Sequence, residues 1–158
     1  MKREIIRRVN DDRIDELEEA MVNGMLPVEC PLVHRFTDGM YIREIFMPKG
    51  SLVTSKIHNT EHPYTISKGF AKVSIDGSEW EDLQAPYTGI TKKGTRRVLF
   101  IVEDCVWTTY HPIKFVSGTD NYLSEEEKIK IVEKIENMIL DKYKNKLLQG
   151  KESKLIKK

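Results

Sequence analysis

Apolar positions recur with two different periods along the chain, and the change of period divides it into segments. Asp11 and Asp12 precede Ile14, Leu17 and Met21, and Gly24 follows, which predicts a short amphipathic helix with an acidic first turn and a glycine stop. Three apolar anchors make no core, so this N-terminal segment, residues 1–25, is expected as a decoration. Between residues 26 and 118 the apolar residues come instead in short runs rich in Val, Ile, Tyr, Phe and Thr. After two prolines in the stretch from Leu26 to Val33, Tyr41 to Met47 reads as a strand ending at the turn Pro48-Lys49-Gly50. Ser51 to Ile57, Tyr64 to Lys68, Phe70 to Ile75, Ile90, Arg97 to Val102 and Val106 to His111 follow, separated by Gly, Pro or charged turns. That spacing suits an antiparallel barrel or sandwich.

After Ser124 the period lengthens. Ser-Glu-Glu-Glu supplies an N-cap with an acidic first turn, and Ile129, Val132, Ile135, Met138, Ile139 and Tyr143 recur at helical spacing, predicting a long helix within residues 119–149. Its apolar stripe must cover the sheet or a second subunit, so a homo-oligomer through the barrel edge or this helix is an open expectation. Residues 150–158 hold Lys151, Lys154, Lys157 and Lys158 and read as a basic, solvated tail. The fold class expected is mainly β: a jelly-roll-type antiparallel barrel between a short N-terminal and a long C-terminal helix.

Composition narrows the partners. The 158 residues suffice for one compact domain, and 26 Lys plus Arg against 25 Asp plus Glu leave no field of one sign to recommend nucleic acid or a membrane surface. The lysine-rich end alone is a weak nucleic-acid signal. Cys30 and Cys105 lie far apart beside apolar residues, as buried reduced thiols do. The start MKREIIRR has no apolar stretch of a secretory signal, and no run nears the roughly 18 apolar residues of a membrane span, so a cytoplasmic protein is expected.

The candidate chemistry sits at a regular spacing. Gly50 is followed after five residues by Lys56, then by His58, after three more by His62, and after six more by Gly69. Period-two alternation puts Lys56 and His58 on one strand face, and a turn at Asn59-Thr60 brings His62 back toward them. In Val106 to His111, Trp107, Thr109 and His111 share a face. The segment Thr91-Lys92-Lys93-Gly94-Thr95-Arg96-Arg97 adds a glycine turn and a guanidinium.

These intervals resemble the cupin pattern, in which Gly, His-x-His, Glu and Gly place three metal ligands on adjacent strands, and a second motif with Pro-x-Gly supplies a fourth from a histidine. Here Lys56 stands for the first histidine, His62 for the glutamate, Lys92 for the proline and Arg97 for the last histidine. The stretches KIHNTEHPYTISKG, QAPYTGITKKGTRR and VWTTYHP are most similar to small cupin-like proteins encoded in bacteriophage genomes. The resemblance spans about Tyr41 to Pro112 and implies a single-domain cupin barrel, working in a bacterial host cytoplasm if phage-encoded.

Three readings of the cluster follow. In the first, Lys56 and Arg97 receive a carboxylate or phosphate, of a nucleotide for example, with His58, His62 and His111 hydrogen bonding and Tyr64 or Trp107 stacking. Two inward cations require such a partner, or an internal one such as Glu44 or Glu61; otherwise Lys56 reaches the rim and Arg97 pairs outside with Glu103 or Asp104. In the second, His58, His62 and His111 hold Zn, Ni, Fe or Cu, and the resemblance then implies isomerase or oxygenase chemistry. In the third, the barrel is a non-catalytic scaffold. Guanidinium cannot ligate a metal, which favours the small acidic ligand. His34, ahead of the strands, reads as a structural hydrogen-bonded residue.

Overall fold

The computed structural model describes residues 2–75, 79–114 and 122–140, with side chains from residue 12 onward. The basic tail at 150–158, Tyr143 and the helical expectation for 141–149 lie outside the described residues. Helix α1 spans Lys2–Gly24, strands β1 to β7 span Leu32–Thr37, Met40–Met47, Leu52–Thr54, His62–Ser74, Glu81–Gln84, Tyr87–Thr91 and Val98–Pro112, and helix α2 spans Glu125–Ile139.

All ladders are antiparallel, in the order β1-β2-β7-β4-β5, with β3 also on β7 and β6 also on β4. The two long strands each serve two sheets. The first part of β4 pairs β6 and the last part of β7, which pairs β2 (Tyr64 opposite Thr109, Tyr41 opposite His111). The second part of β4 pairs β5 and the first part of β7, which pairs β3 (Ala71 opposite Ile101, Val53 opposite Leu99). Register shifts between Ile66 and Ala71 mark where β4 crosses from one sheet to the other, as bulges do at barrel corners. Gly69 stands at this corner with φ +94°, and a Cβ there would strike the Asp104 carbonyl. The result is a jelly-roll barrel.

Two runs read as separate strands on either side of Gly69 are therefore one bent strand, and the same holds for Arg97 to Val102 and Val106 to His111. Ser51 to Ile57 shortens to Leu52–Thr54 because the chain leaves the ladder to present Lys56 and His58. Strands β1 and β5 were not expected. In β5, Glu81-Asp82-Leu83-Gln84 has little β propensity, and burial of Leu83 at 4% exposure in the barrel core holds it there.

The core joins both sheets through Ile66, Trp107, Ile101, Leu99, Val73 and Leu83. A second cluster packs Val132, Ile135 and Ile139 of α2 onto Phe36, Tyr41 and Ile113, so the helix stripe covers the sheet. Burying Ile135 completely contributes roughly 1.5–3 kcal/mol. Ser124 caps α2 as expected: its Oγ accepts from Glu127 N at 3.2 Å, and its N–H donates to Glu127 Oε2 at 2.8 Å. Ile129 and Met138 stay on the solvent side.

Helix α1 departs from expectation twice. It begins at Lys2, which places Asp11 and Asp12 mid-helix rather than in a first turn, since no breaker interrupts residues 2–10. Nor is it a decoration. Ile14 is buried, and Arg96 reaches from the β6–β7 connection to grip Asp15 at 2.7 Å and Glu18 at 2.9 Å. No helix among the described residues is long and apolar enough to cross a membrane.

Candidate functional site

Alternation along β2 and β7 aims one face of each at a cavity of about 240 Å³ inside the barrel. Tyr41, Arg43, Ile45 and Met47 reach it from β2, and Trp107, Thr109 and His111 from β7. Lys56 and His58 enter from the connection after β3, His62 and Thr91 from the paired ends of β4 and β6, and Arg97 from the approach to β7. Glu136, Ile139 and Leu140 close one side from α2. Asn59 fixes that helix end, its N–H donating to the Ile139 carbonyl at 2.7 Å and its side-chain amide to the Met138 carbonyl at 3.1 Å.

The three histidines form one cluster. Ring centroids lie 4.4 Å apart for His62 and His111, 4.7 Å for His58 and His62, and 5.2 Å for His58 and His111. Burial, reinforced by the neighbouring imidazoles and Arg43, pushes the His58 pKa down to about 3 and that of His111 to about 2. Burial also lowers His62. All three rings are neutral at physiological pH. His111 Nε2 shares a hydrogen bond with Thr109 Oγ1 at 2.9 Å, and its other face stacks on Tyr41, whose hydroxyl bonds His34 Nδ1 at 2.7 Å. His34 is thus the structural partner of Tyr41, as read.

The cations are arranged differently from one another. Lys56 Nζ pairs with Glu136 Oε1 at 3.3 Å, where the alternatives weighed were Glu44 or Glu61. Glu44 instead faces Arg35 on the surface. Arg97 does not turn out to Glu103 or Asp104. Its Nη1 donates to Thr91 Oγ1 at 3.0 Å and its guanidinium lies 5.2 Å over the Tyr64 ring, while Asp104 accepts from the Lys49 backbone. Tyr64 stacks on Trp107 at 4.7 Å and stands behind the cavity wall, so it supports Arg97 rather than facing a ligand. Gly89 makes this possible, because a Cβ there would come 2.7 Å from the Tyr64 phenol.

Arg43 was not found from the sequence. Its position is legible afterwards in the alternation Tyr41-x-Arg43-x-Ile45-x-Met47. Its guanidinium acts electrostatically on Lys56, His58 and His111, and among the described residues no hydrogen bond or ion pair holds it. Glu136, Met21 and Met25 were also missed. They come from helices remote in sequence, and no local spacing signals them.

Imidazoles suit a transition metal by type. Here, however, no three His, Cys, Asp or Glu side chains among the described residues are disposed to hold one. His111 Nε2 is engaged with Thr109, and Arg43 and Lys56 lay positive charge on the same rings. The cluster His58, His62 and His111 is brought together as expected, and His111 Nδ1 is buried in it without a hydrogen-bond partner.

Fold and site together define an antiparallel jelly-roll barrel with a cationic, imidazole-lined cavity. No family model and no curated protein matches the chain. Solved structures that resemble it include an RmlC-like cupin family protein with a double-stranded β-helix fold from Methanocaldococcus jannaschii (12% identity, 58% of this chain and 94% of that one, TM-score 0.43). A cupin superfamily protein from Desulfitobacterium hafniense matches at 15% identity over 56% and 90%, TM-score 0.43. An uncharacterised double-stranded β-helix protein from Klebsiella pneumoniae matches at 16% over 53% and 77%, TM-score 0.46.

Proposed function

We propose that this chain is a cupin-type binding protein whose barrel cavity receives a small organic anion. The observation that supports it is the charge of the wall. Three cations, Arg43, Lys56 and Arg97, face one cavity in which Glu136 is the single carboxylate among the described lining residues. Glu136 answers Lys56, which leaves two guanidinium groups to be answered by a ligand. A buried guanidinium is costly to desolvate without an anion, and its planar fork suits a carboxylate or phosphate. The neutral histidines and Thr109 complete the polar floor as hydrogen-bonding groups. If the chain is phage-encoded, the ligand would be a metabolite of the bacterial host cytoplasm.

A thermal-shift and equilibrium-dialysis screen of carboxylated and phosphorylated metabolites tests this. An acid should stabilise the protein, and Arg97→Ala should remove the effect. Elemental analysis of protein purified without a metal-affinity tag belongs beside it. Stoichiometric Zn, Ni, Fe or Cu lost in His58→Ala would replace the anion reading with that of a metal-dependent isomerase or oxygenase. Absence of binding by any acid, with Arg97→Ala neutral for stability, would leave the barrel as a scaffold.

A further inference from the structure

The polarity of the cavity changes in steps along the β2–β7 ladder. Tyr41 opposes His111 at one end, Arg43 opposes Thr109 next, then Ile45 opposes Trp107, and Met47 opposes Cys105 at the far end. Each step of two residues advances about 7 Å, so the ladder runs from imidazole and hydroxyl through guanidinium to purely apolar side chains within roughly 20 Å. The apolar end is continued by Leu99, Val53 and Leu52 on the second sheet and by Met21, Met25 and Val28 from α1 and the segment after it. Met25 and Leu26, 50% and 90% exposed, bring this end to the surface.

Resting on the anion-binding reading, we infer that the ligand is an amphiphilic organic acid with its anionic head at the polar end of the ladder, drawn in by the cations of the cavity wall, and an apolar body directed at Met47, Leu99 and Met25. A sugar phosphate or a nucleotide presents hydroxyl groups or polar base edges along its length. At Ile45, Met47 and Leu99 those groups would lose water and gain no partner, at a penalty that an alkyl or aryl body avoids. The cavity, of about 240 Å³ and open to the surface at Met25 and Leu26, suits a compact acid with a short alkyl or aryl body. Octanoate is an acid of this kind. Met21 and Met25 from the helix side and Met47 from β2 suit a body of variable shape, because an unbranched thioether repacks readily.

Titration with n-alkanoates from butanoate to dodecanoate, followed by Trp107 fluorescence in a Trp80→Phe background, tests the inference. Affinity should rise about fourfold per methylene up to about octanoate and then level off, as expected once the chain passes the exposed Met25 and Leu26 and further methylenes stay in water. Met25→Gln, at a half-exposed position, keeps the net charge of the wall and should flatten the rise for the longer chains. Glucose 6-phosphate, adenosine monophosphate and succinate should bind at least tenfold more weakly than octanoate. Tight binding of any of these three without a chain-length effect would overturn the amphiphile inference and leave the anion-binding reading standing. If octanol binds as well as octanoate, or if no acid binds, both fall.

Discussion

Arg96 and Arg97 are adjacent in sequence and serve opposite sides of the barrel wall. Arg96, its side chain 3% exposed, holds Asp15 and Glu18 on α1, whereas Arg97 lies over Tyr64 at the cavity. One short segment ahead of β7 therefore fixes both a covering helix and a candidate ligand contact. Removing one member of a buried ion pair leaves its partner charged and unanswered. Arg96→Met should lower stability by about 3–5 kcal/mol in urea unfolding. Arg97→Met should lower it far less, since no carboxylate is left stranded. Equal effects of the two substitutions would contradict the division of roles.

The corner of β4 gives a steric prediction. Gly69→Ala would place a Cβ against the Asp104 carbonyl and 2.8 Å from Cys105 Cα, in a left-handed backbone conformation. A loss of at least about 3 kcal/mol is expected. Gly50 has a similar φ of +84° and nothing within 4 Å of the added Cβ, so Gly50→Ala should cost about 1–2 kcal/mol, the backbone penalty alone. Thermal denaturation of the pair separates crowding from backbone strain.

The intervals between the glycines at 50, 69 and 94 were readable in advance as turn positions, and all three have positive φ. Reading Gly69 as a strand boundary missed that one strand can bend between two sheets when its partner, near Asp104, bends with it. The inward set Lys56, His58, His62, Trp107 and His111 was legible because period two and turn spacing are local properties, and Arg97 because it stands where the cupin pattern has its last histidine. Tyr64 was expected as a stacking surface for the ligand; it stacks on Trp107 and does not line the cavity. Glu136 and Met25 depend on where two helices dock, and nothing in their own neighbourhoods encodes that.

The buried imidazoles make stability depend on pH. In the folded state His58 titrates near 3 and His111 near 2, each below the unfolded value of about 6.5. The unfolded chain binds protons first as pH falls, so stability is fully present above about pH 6.5 and is lost progressively toward pH 3. The groups facing these rings are His62, Arg43 and Lys56, with Glu136 the one carboxylate beside Lys56. Between pH 7 and pH 5 the unfolding free energy from urea titration should fall by on the order of 1–2 kcal/mol per histidine. His111→Asn should reduce that slope; a midpoint flat over this range would contradict the burial of neutral rings.

Glu136 also bears on affinity. As the one described carboxylate in the cavity wall, it repels an incoming anion and competes for Lys56. Glu136→Gln should therefore tighten binding of an acid several-fold, on the order of 1 kcal/mol for a charge at the cavity margin. Unchanged or weaker binding would show that Lys56 and Glu136 act only as a structural pair.

The central claim is that the two guanidinium groups draw an acid into the barrel. It is tested most directly by calorimetric titration of octanoate into the wild type, Arg43→Met, Arg97→Met and the double variant at pH 7 and fixed salt, with circular dichroism confirming the fold of each. Each single substitution should weaken binding about tenfold or more, and the double variant should show no measurable heat. Octanoate affinity unchanged in the folded double variant would contradict the account.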